Sequence, residues 1–311
     1  MMIEKAMRSL MLVLFATSAL VITGCDDDDN DGNDLKTITE VVVDGDDFTL
    51  LEAAVVRAGL ADALAQGTLT VFAPTDEAFQ AAGFADVAAI NATPVATLQA
   101  VLQYHVINAA VASSAIPAAD NTAQTTLGGG TIYITKNGSG VSVNGAVVTQ
   151  ADVSALNGVI HVVNKVLLPP AGNIVEIAAD NPDFTFLVAA VTRANLGTTL
   201  ATTSPLTVFA PTNAAFQAAG FPTIESIQSA DVAALTDILT YHVVSARAFS
   251  TNLTNGAEVQ TLAGETVRVN INNGVTVTGK GNSNPSNVVL ANINAENGVI
   301  HVIDRVLLPQ Q

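Results

Sequence analysis

The chain has 311 residues, with 11 basic and 28 acidic side chains and a net charge of −17 at pH 7. Hydrophobic residues make up 49% and charged ones 13%, which excludes a disordered polyelectrolyte and leaves enough apolar surface for about two domains. The acidic balance excludes phosphate-backbone recognition, so no nucleic-acid partner is expected, nor electrostatic docking on anionic lipid. One Cys excludes an intrachain disulfide and a Cys-rich zinc site, and the absence of Trp removes a Trp platform for stacking sugars.

In chain order, residues 1–24 read as a signal peptide. Lys5 and Arg8 supply a positive start, and Ser9 to Val21 an apolar run short of the ~20 residues that span a bilayer. Ile22-Thr23-Gly24-Cys25 resembles the bacterial lipobox, which implies cleavage before Cys25, lipidation of its thiol and a membrane partner through the lipid. The only Cys of the chain stands at that position. The expected location is therefore the cell envelope, on the exoplasmic side, at the outer membrane, the cell surface or facing the periplasm. Residues 25–35 form an acidic tether, Asp26-Asp-Asp-Asp29-Asn-Asp-Gly-Asn-Asp34, whose carboxylates repel one another. A plain spacer is the simplest reading. A calcium loop and a sorting signal stay open, although the glycine and closing Glu of an EF-hand are out of register.

The body is one unit written twice. Phe48-Thr-Leu-Leu-Glu-Ala-Ala-Val matches Phe184-Thr-Phe-Leu-Val-Ala-Ala-Val, and Leu69-Thr-Val-Phe-Ala-Pro-Thr75 matches Leu206-Thr-Val-Phe-Ala-Pro-Thr212. Ala78-Phe-Gln-Ala-Ala-Gly-Phe84 recurs from Ala215, Tyr104-His105-Val106 as Tyr241-His242-Val243, and Asn157-Gly-Val-Ile-His161 as Asn297-Gly-Val-Ile-His301. A period this long means two homologous domains in tandem, over 36–169 and 172–309, and not a solenoid. Pro170-Ala-Gly172 is a short connection, so a restricted relative orientation is expected.

Each unit has a helical front and a stranded back. Apolar spacing from Ile174 to Arg193, broken at Asn181-Pro182, predicts two short helices, and Val232 to Val243 predicts another. Leu206 to Ala210 predicts a buried strand ended by Pro211, with Thr212 or Asn213 capping the next helix. Alternation in Thr131–Thr135, Val141–Asn144, Val267–Ile271 and Val275–Thr278 predicts strands, separated by Lys136–Gly140 and Asn272–Gly274 turns. Gly128-Gly-Gly130 reads as a further turn. Each unit closes on an apolar strand at Val159 or Val299. Helices segregated from antiparallel strands give the fold class α+β.

These residues carry a resemblance. Thr-Val-Phe-Ala-Pro-Thr-(Asp/Asn) followed by Ala-Phe, then Tyr-His, then Asn-Gly-Val-Ile-His and Leu-Leu-Pro resemble, in order and twice, the signatures of the fasciclin domain. The resemblance implies, for each unit, a twisted β-sandwich or wedge with a helical layer. It implies a non-enzymatic, extracellular adhesion module contacting matrix, polysaccharide or protein, without a cofactor. An envelope enzyme or small-ligand carrier using a pocket near the Tyr-His motifs is the alternative.

The four histidines, His105, His161, His242 and His301, all lie in the repeat. A structural role against backbone near a strand is the first reading, with partner contact by Tyr104, His105, Tyr241 and His242 the second. A metal is not expected, because a His pair without a third ligand is incomplete and no His-x-x-x-His spacing occurs. Asp76 and Asn213 follow Thr75 and Thr212 at matching positions. An amide cannot replace a catalytic carboxylate but can replace a capping oxygen, so all four are read as structural. No nucleophile elbow, phosphate loop or dinucleotide fingerprint is present. Asn-x-Ser/Thr sequons at Asn91, Asn137 and Asn252 carry no glycosylation expectation, since the lipobox resemblance implies a bacterium.

Overall fold

The two copies of Leu-Thr-Val-Phe-Ala-Pro form the strands around which each repeat is built. The computed structural model describes residues 35–272 and 274–310. The signal peptide, Cys25 and the acidic tether as far as Asp34 lie outside the described residues.

In the first repeat, three helices, α1 (Ile38–Asp44), α2 (Thr49–Ala58) and α3 (Ala61–Leu64), precede strand β1 (Leu69–Pro74). Then come α4 (Asp76–Ala81), α5 (Val87–Ala92), α6 (Val95–Tyr104) and the short β2 (Val106–Ile107). The back half holds β3 (Thr122–Thr125), β4 (Thr131–Asn137), β5 (Gly140–Val143), β6 (Ala146–Ala155) and β7 (Gly158–Val163). The second repeat follows the same order: α7 (Ile174–Asp180), α8 (Thr185–Arg193), α9 (Gly197–Thr202), β8 (Leu206–Pro211), α10 (Asn213–Ala218), α11 (Ile224–Gln228), α12 (Val232–Tyr241) and β9 (Val243–Val244). It closes with β10 (Glu258–Gln260), β11 (Thr266–Asn270), β12 (Thr276–Gly279), β13 (Ser286–Ala295) and β14 (Gly298–Ile303).

Among the described residues each repeat has seven strands in one sheet, ordered β2-β1-β7-β6-β5-β4-β3 and, in the second, β9-β8-β14-β13-β12-β11-β10. One expectation is corrected here. β1 pairs with β7, and β8 with β14, in parallel, so the sheets are mixed. The connection between the parallel strands is long, running through the helices α4 to α6 and then the strands β2 to β6. The long strands β6 and β13 each carry two register shifts, and these bulges bend the sheet into two halves of a wedge.

β1 is buried along its whole length. Val71 and Ala73 face the helical layer with Leu51, Val55 and Leu102, while Phe72 faces the inside of the wedge with Ile132, Ile134, Val143 and Val163. The second repeat divides likewise: Val208 and Ala210 join the helical core, and Phe209 meets Val267, Val269, Val277 and Ile303. This is the α+β wedge with a helical layer, twice in tandem.

The Asn-Gly start of the closing strand is fixed by two contacts. Asn157 Oδ1 accepts from Ile38 N at 2.9 Å and its Nδ2 donates to Leu64 O at 2.8 Å; Asn297 does the same to Ile174 N and Leu200 O. The first turn of α1 or α7 is thereby tied to the strand. The following glycine lies flush on the parallel neighbour: a Cβ at Gly158 would sit 1.9 Å from Leu69 O, and at Gly298 2.1 Å from Leu206 O.

Gly298→Ala should therefore destabilise the second repeat by more than ~2 kcal/mol, because strand backbones must part to admit the methyl group. Gly197→Ala, at the start of α9 with open space around it, should be neutral or stabilising by up to ~1 kcal/mol. Denaturant unfolding of both variants checks the contrast.

Candidate functional site

Both Tyr-His motifs end a helix, α6 or α12, at the seam between helical layer and wedge. His105 is 2% exposed. Its Nδ1 lies 2.7 Å from Val101 O, which can only accept, so Nδ1 carries the proton. Its Nε2 accepts from Leu167 N at 2.8 Å. His242 repeats this with Ile238 O at 2.7 Å and Leu307 N at 2.8 Å. Each ring is a neutral bridge from the last helical turn to the Leu-Leu-Pro segment. A second proton would confront a backbone N–H, and burial pushes both imidazoles down to about 4.

The tyrosines are buried as deeply. Tyr104 Oη donates to Thr131 O at 2.7 Å and accepts from Asn144 Nδ2 at 3.0 Å, and burial raises its pKa. Tyr241 Oη donates to Thr266 O at 2.8 Å and accepts from Lys280 N at 2.9 Å. All four side chains of Tyr104, His105, Tyr241 and His242 are buried.

His161 and His301 hold a loop. Nε2 of His161 donates to Val111 O at 2.9 Å and Nδ1 accepts from Asp152 N at 3.2 Å; His301 meets Ala248 O at 2.8 Å. Their rings lie against Phe72 and Phe209 at 5.5 and 5.7 Å. From the next strand, Thr70 Oγ1 donates to Ala109 O and accepts from Val111 N, and Thr207 Oγ1 does so with Ala246 O and Ala248 N. The loops Ala109–Ala115 and Ala246–Asn252 are thus presented on one face of each repeat, beside the bulge of β6 or β13.

In the second repeat this loop meets the first repeat, a contact sequence reasoning missed. Arg247, 7% exposed, places its guanidinium 4.2 Å above the Tyr133 ring. It donates to Asn294 Oδ1, Ala295 O, Glu296 O and Gly298 O at 2.7 to 3.2 Å. Around it, Asn121 donates to Arg247 O, Asn252 to Thr135, Asn294 to Tyr104 Oη and Ser142 to Thr251, and Phe249 lies against Tyr133. The one available signal was a difference between the copies: Arg247 stands where the first repeat has Ala110.

Thr75 and Thr212 cap α4 and α10 through Ala78 N and Ala215 N, at 3.3 and 3.2 Å. Asp76 and Asn213 act elsewhere than expected. Asp76 Oδ1 accepts from Leu50 N at 2.7 Å and Asn213 Oδ1 from Phe186 N at 3.0 Å, so they cap α2 and α8, whose own N-caps Phe48 and Phe184 have no side-chain acceptor. Among the described residues no group of three or more His, Cys, Asp or Glu could hold a metal. An apolar cavity of about 40 Å³ borders His105, lined by Ile38, Val42, Leu51, Val55 and Leu102.

Protonation of His105 and His242 is unfavourable only in the folded state. The unfolded value, near 6.5, exceeds the folded one, about 4, so stability is full above pH 6.5 and falls as pH drops toward 4. The loss should reach roughly 3 kcal/mol per histidine. His242→Ala should cost roughly 1–3 kcal/mol at pH 7 through the unsatisfied Leu307 N–H and Ile238 O. It should also flatten the second repeat's pH dependence across that window. Hydrogen exchange of α12 from pH 7 to 4 reads both.

The fasciclin domain model matches residues 46–169 and 182–309. The protein sll1483 of Synechocystis sp. is 43% identical over 151 residues, which cover 48% of this chain and 79% of that protein. The transforming growth factor-beta-induced protein ig-h3 of Sus scrofa is 30% identical over 247 residues, 78% of this chain but 35% of its own length. A solved FAS1 domain pair from the insect cell adhesion molecule fasciclin I aligns over 83% of this chain and 95% of its own, with 21% identity and a TM-score of 0.43. With two matches that together span most of its length and carry the buried motifs just described, the chain belongs to the fasciclin domain family.

Proposed function

We propose that the chain is a non-enzymatic binding protein of the cell envelope, anchored on the exoplasmic side by lipid on Cys25 and contacting an extracellular protein or polysaccharide. The supporting observation is where the motif chemistry is spent. Both nitrogens of His105 and His242 are spent on backbone, and burial pushes the two imidazoles down to about 4. The hydroxyls of Tyr104 and Tyr241 donate to Thr131 O and Thr266 O, and the amides of Asn157 and Asn297 bond backbone. What the motifs build is a presented loop over a rigid wedge, which is the construction of a recognition surface. The carrier alternative would need a pocket at the Tyr-His motif. The cavity there, about 40 Å³, is far below the roughly 300 Å³ of the smallest ligand sites.

Among the described residues no helix is long and apolar enough to cross a membrane. The resemblance of Ile22-Thr-Gly-Cys25 to a lipobox supplies the proposed anchor, and the acidic run supplies reach. Cys25→Ala should move the protein from the membrane to the soluble fraction or leave an unprocessed precursor. A processed variant that stays with membranes contradicts the anchor. Soluble protein passed over envelope extract and polysaccharide arrays should retain a partner. Its binding should fall in His105→Ala only as far as folding does. Loss of binding, or of any turnover, at unchanged stability contradicts the non-enzymatic reading.

A further inference from the structure

One hairpin is built differently in the two repeats. In the first, the pairs Ser142–Val147 and Val143–Ala146 close on a two-residue turn, Asn144-Gly145, with left-handed φ of 47° and 78°. In the second, the matching pairs Thr276–Asn287 and Val277–Ser286 leave eight residues, 278–285, outside the pairing. This longer connection is pinned to the segment that ends the repeat. Asn282 Nδ2 donates to Val306 O at 2.9 Å, its Oδ1 accepts from Leu308 N at 2.7 Å, and Gly281 N donates to Leu308 O at 2.9 Å. A Cβ at Gly279 would fall 2.7 Å from Leu308 O, and one at Gly281 2.3 Å from Pro309 O. The eight residues therefore make a fixed wall.

The wall stands beside the outward face of β10, β11 and β12. Val267, Val269 and Val277 point into the wedge, and the positions alternating with them are Thr, Asn and Arg268. Glu258, Arg268, Asn270, Thr278, Lys280 and Asn282 line an open cleft of about 480 Å³. That volume lies within the roughly 300–1,000 Å³ of ligand sites. The same face of the first repeat is taken. Tyr104 Oη reaches Thr131 O as Tyr241 Oη reaches Thr266 O, so Arg268 stands where the first repeat has Tyr133. Tyr133 lies against Arg247 and Phe249, and Ser142 bonds Thr251.

The groups in the cleft define what it takes. Arg268 and Lys280 are exposed, and among the described residues neither meets a carboxylate within ion-pair distance, the one ion pair being Lys36 with Asp44. A guanidinium fork matches the two oxygens of a carboxylate. Glu258 is the register partner of Arg268 on one side and Thr278 on the other. Thr266 Oγ1 donates to Glu258 Oε2 at 2.7 Å, which leaves Oε1 to accept from a ligand. A carboxylate at that place repels a dianion such as a phosphate monoester and favours a ligand that donates hydroxyls. No apolar or aromatic side chain lines the cleft, so the apolar carbons of an acidic peptide find no wall. With a net charge of −17, the chain can draw an anion only where these cations stand.

We infer that this cleft binds a uronate-bearing polysaccharide, with one sugar carboxylate on the Arg268 fork, a second anionic contact at Lys280, and ring hydroxyls on Glu258, Asn270 and Thr278. The inference rests on the reading of the chain as a binding protein and names the ligand class and the place for it.

Titration calorimetry of the full chain in neutral detergent tests it. The probes are the trimers of galacturonate, glucuronate and mannuronate, each beside its methyl ester, which keeps the shape and loses the charge. At least one uronate trimer should bind saturably, and its ester about ten-fold more weakly. Arg268→Gln should cost about ten-fold, the low end for a hydrogen bond to a charged group. Arg268→Lys should cost about three-fold, because it keeps the charge and loses the fork. Glu258→Gln, which keeps an acceptor for Thr266, should tighten binding about three-fold, the size of one exposed charge pair. No saturation by any trimer at about 10 mM overturns the inference, as do esters that bind equally or binding indifferent to Arg268→Gln. So does full displacement by an equal concentration of inorganic phosphate, which would make the cleft a plain anion site. If Arg268→Gln fails to fold, Lys280→Gln, expected to cost about three-fold, carries the test. Failure here while envelope extract or arrays still yield a partner removes this cleft and leaves the binding-protein reading; failure of both removes both.

Discussion

Each repeat depends on one parallel strand pair packed without a gap. β1 and β7 run side by side from Leu69 to Pro74, and their closeness at Gly158 leaves no room for a methyl group. With both faces of β1 buried, one side of the strand organises the helices and the other fills the wedge. The parallel pairing also aligns Phe72 with His161 and Phe209 with His301, register partners whose rings lie against one another. Thr70 and Thr207, two residues earlier, then fall where their hydroxyls hold the presented loop. Strand, core and loop are consequences of one register, which explains why the motif residues cluster around it.

Tandem repetition, the helix-then-strand order and most long elements were legible, because they rest on periodicity and on words that recur. The sense of the β1–β7 pair was not: a closing apolar strand reads the same whether it returns parallel or antiparallel. The short helices α3, α5, α9 and α11 hold four to six residues, too few to establish a helical period. Asp76 and Asn213 were identified as capping oxygens from their interchange. The helix they serve, 26 or 27 residues earlier, is a tertiary fact. The histidines were readable as structural, since no ligand set was complete, but their tautomer needed the carbonyls of Val101 and Ile238.

Arg247 was invisible as a single residue and informative as a mismatch. A buried cation without a carboxylate is costly unless its donors are fully used. Here the planar fork reaches three backbone carbonyls and an amide oxygen while its face lies on Tyr133. An ammonium could not fill that pattern, because it lacks both the fork and the flat face. The same carbonyl positions in the first repeat stand opposite Ala110. Two copies of one fold therefore differ at the position where one of them is committed to an internal neighbour.

The division of labour within each repeat follows from this. The common Tyr-His residues are buried, and with the Asn-Gly residues they spend most of their polar atoms on the backbone, so they act chiefly on shape. Residues that differ between the copies, Ala110 against Arg247, Asp152 against Asn292 and Tyr133 against Arg268, lie on the presented loop, the bulge or the outward sheet. Recognition is a difference between surfaces and must reside in the second set. Changing a common residue then acts on folding, and on binding only through it. Changing a differing residue acts on the choice of neighbour while the wedge stands.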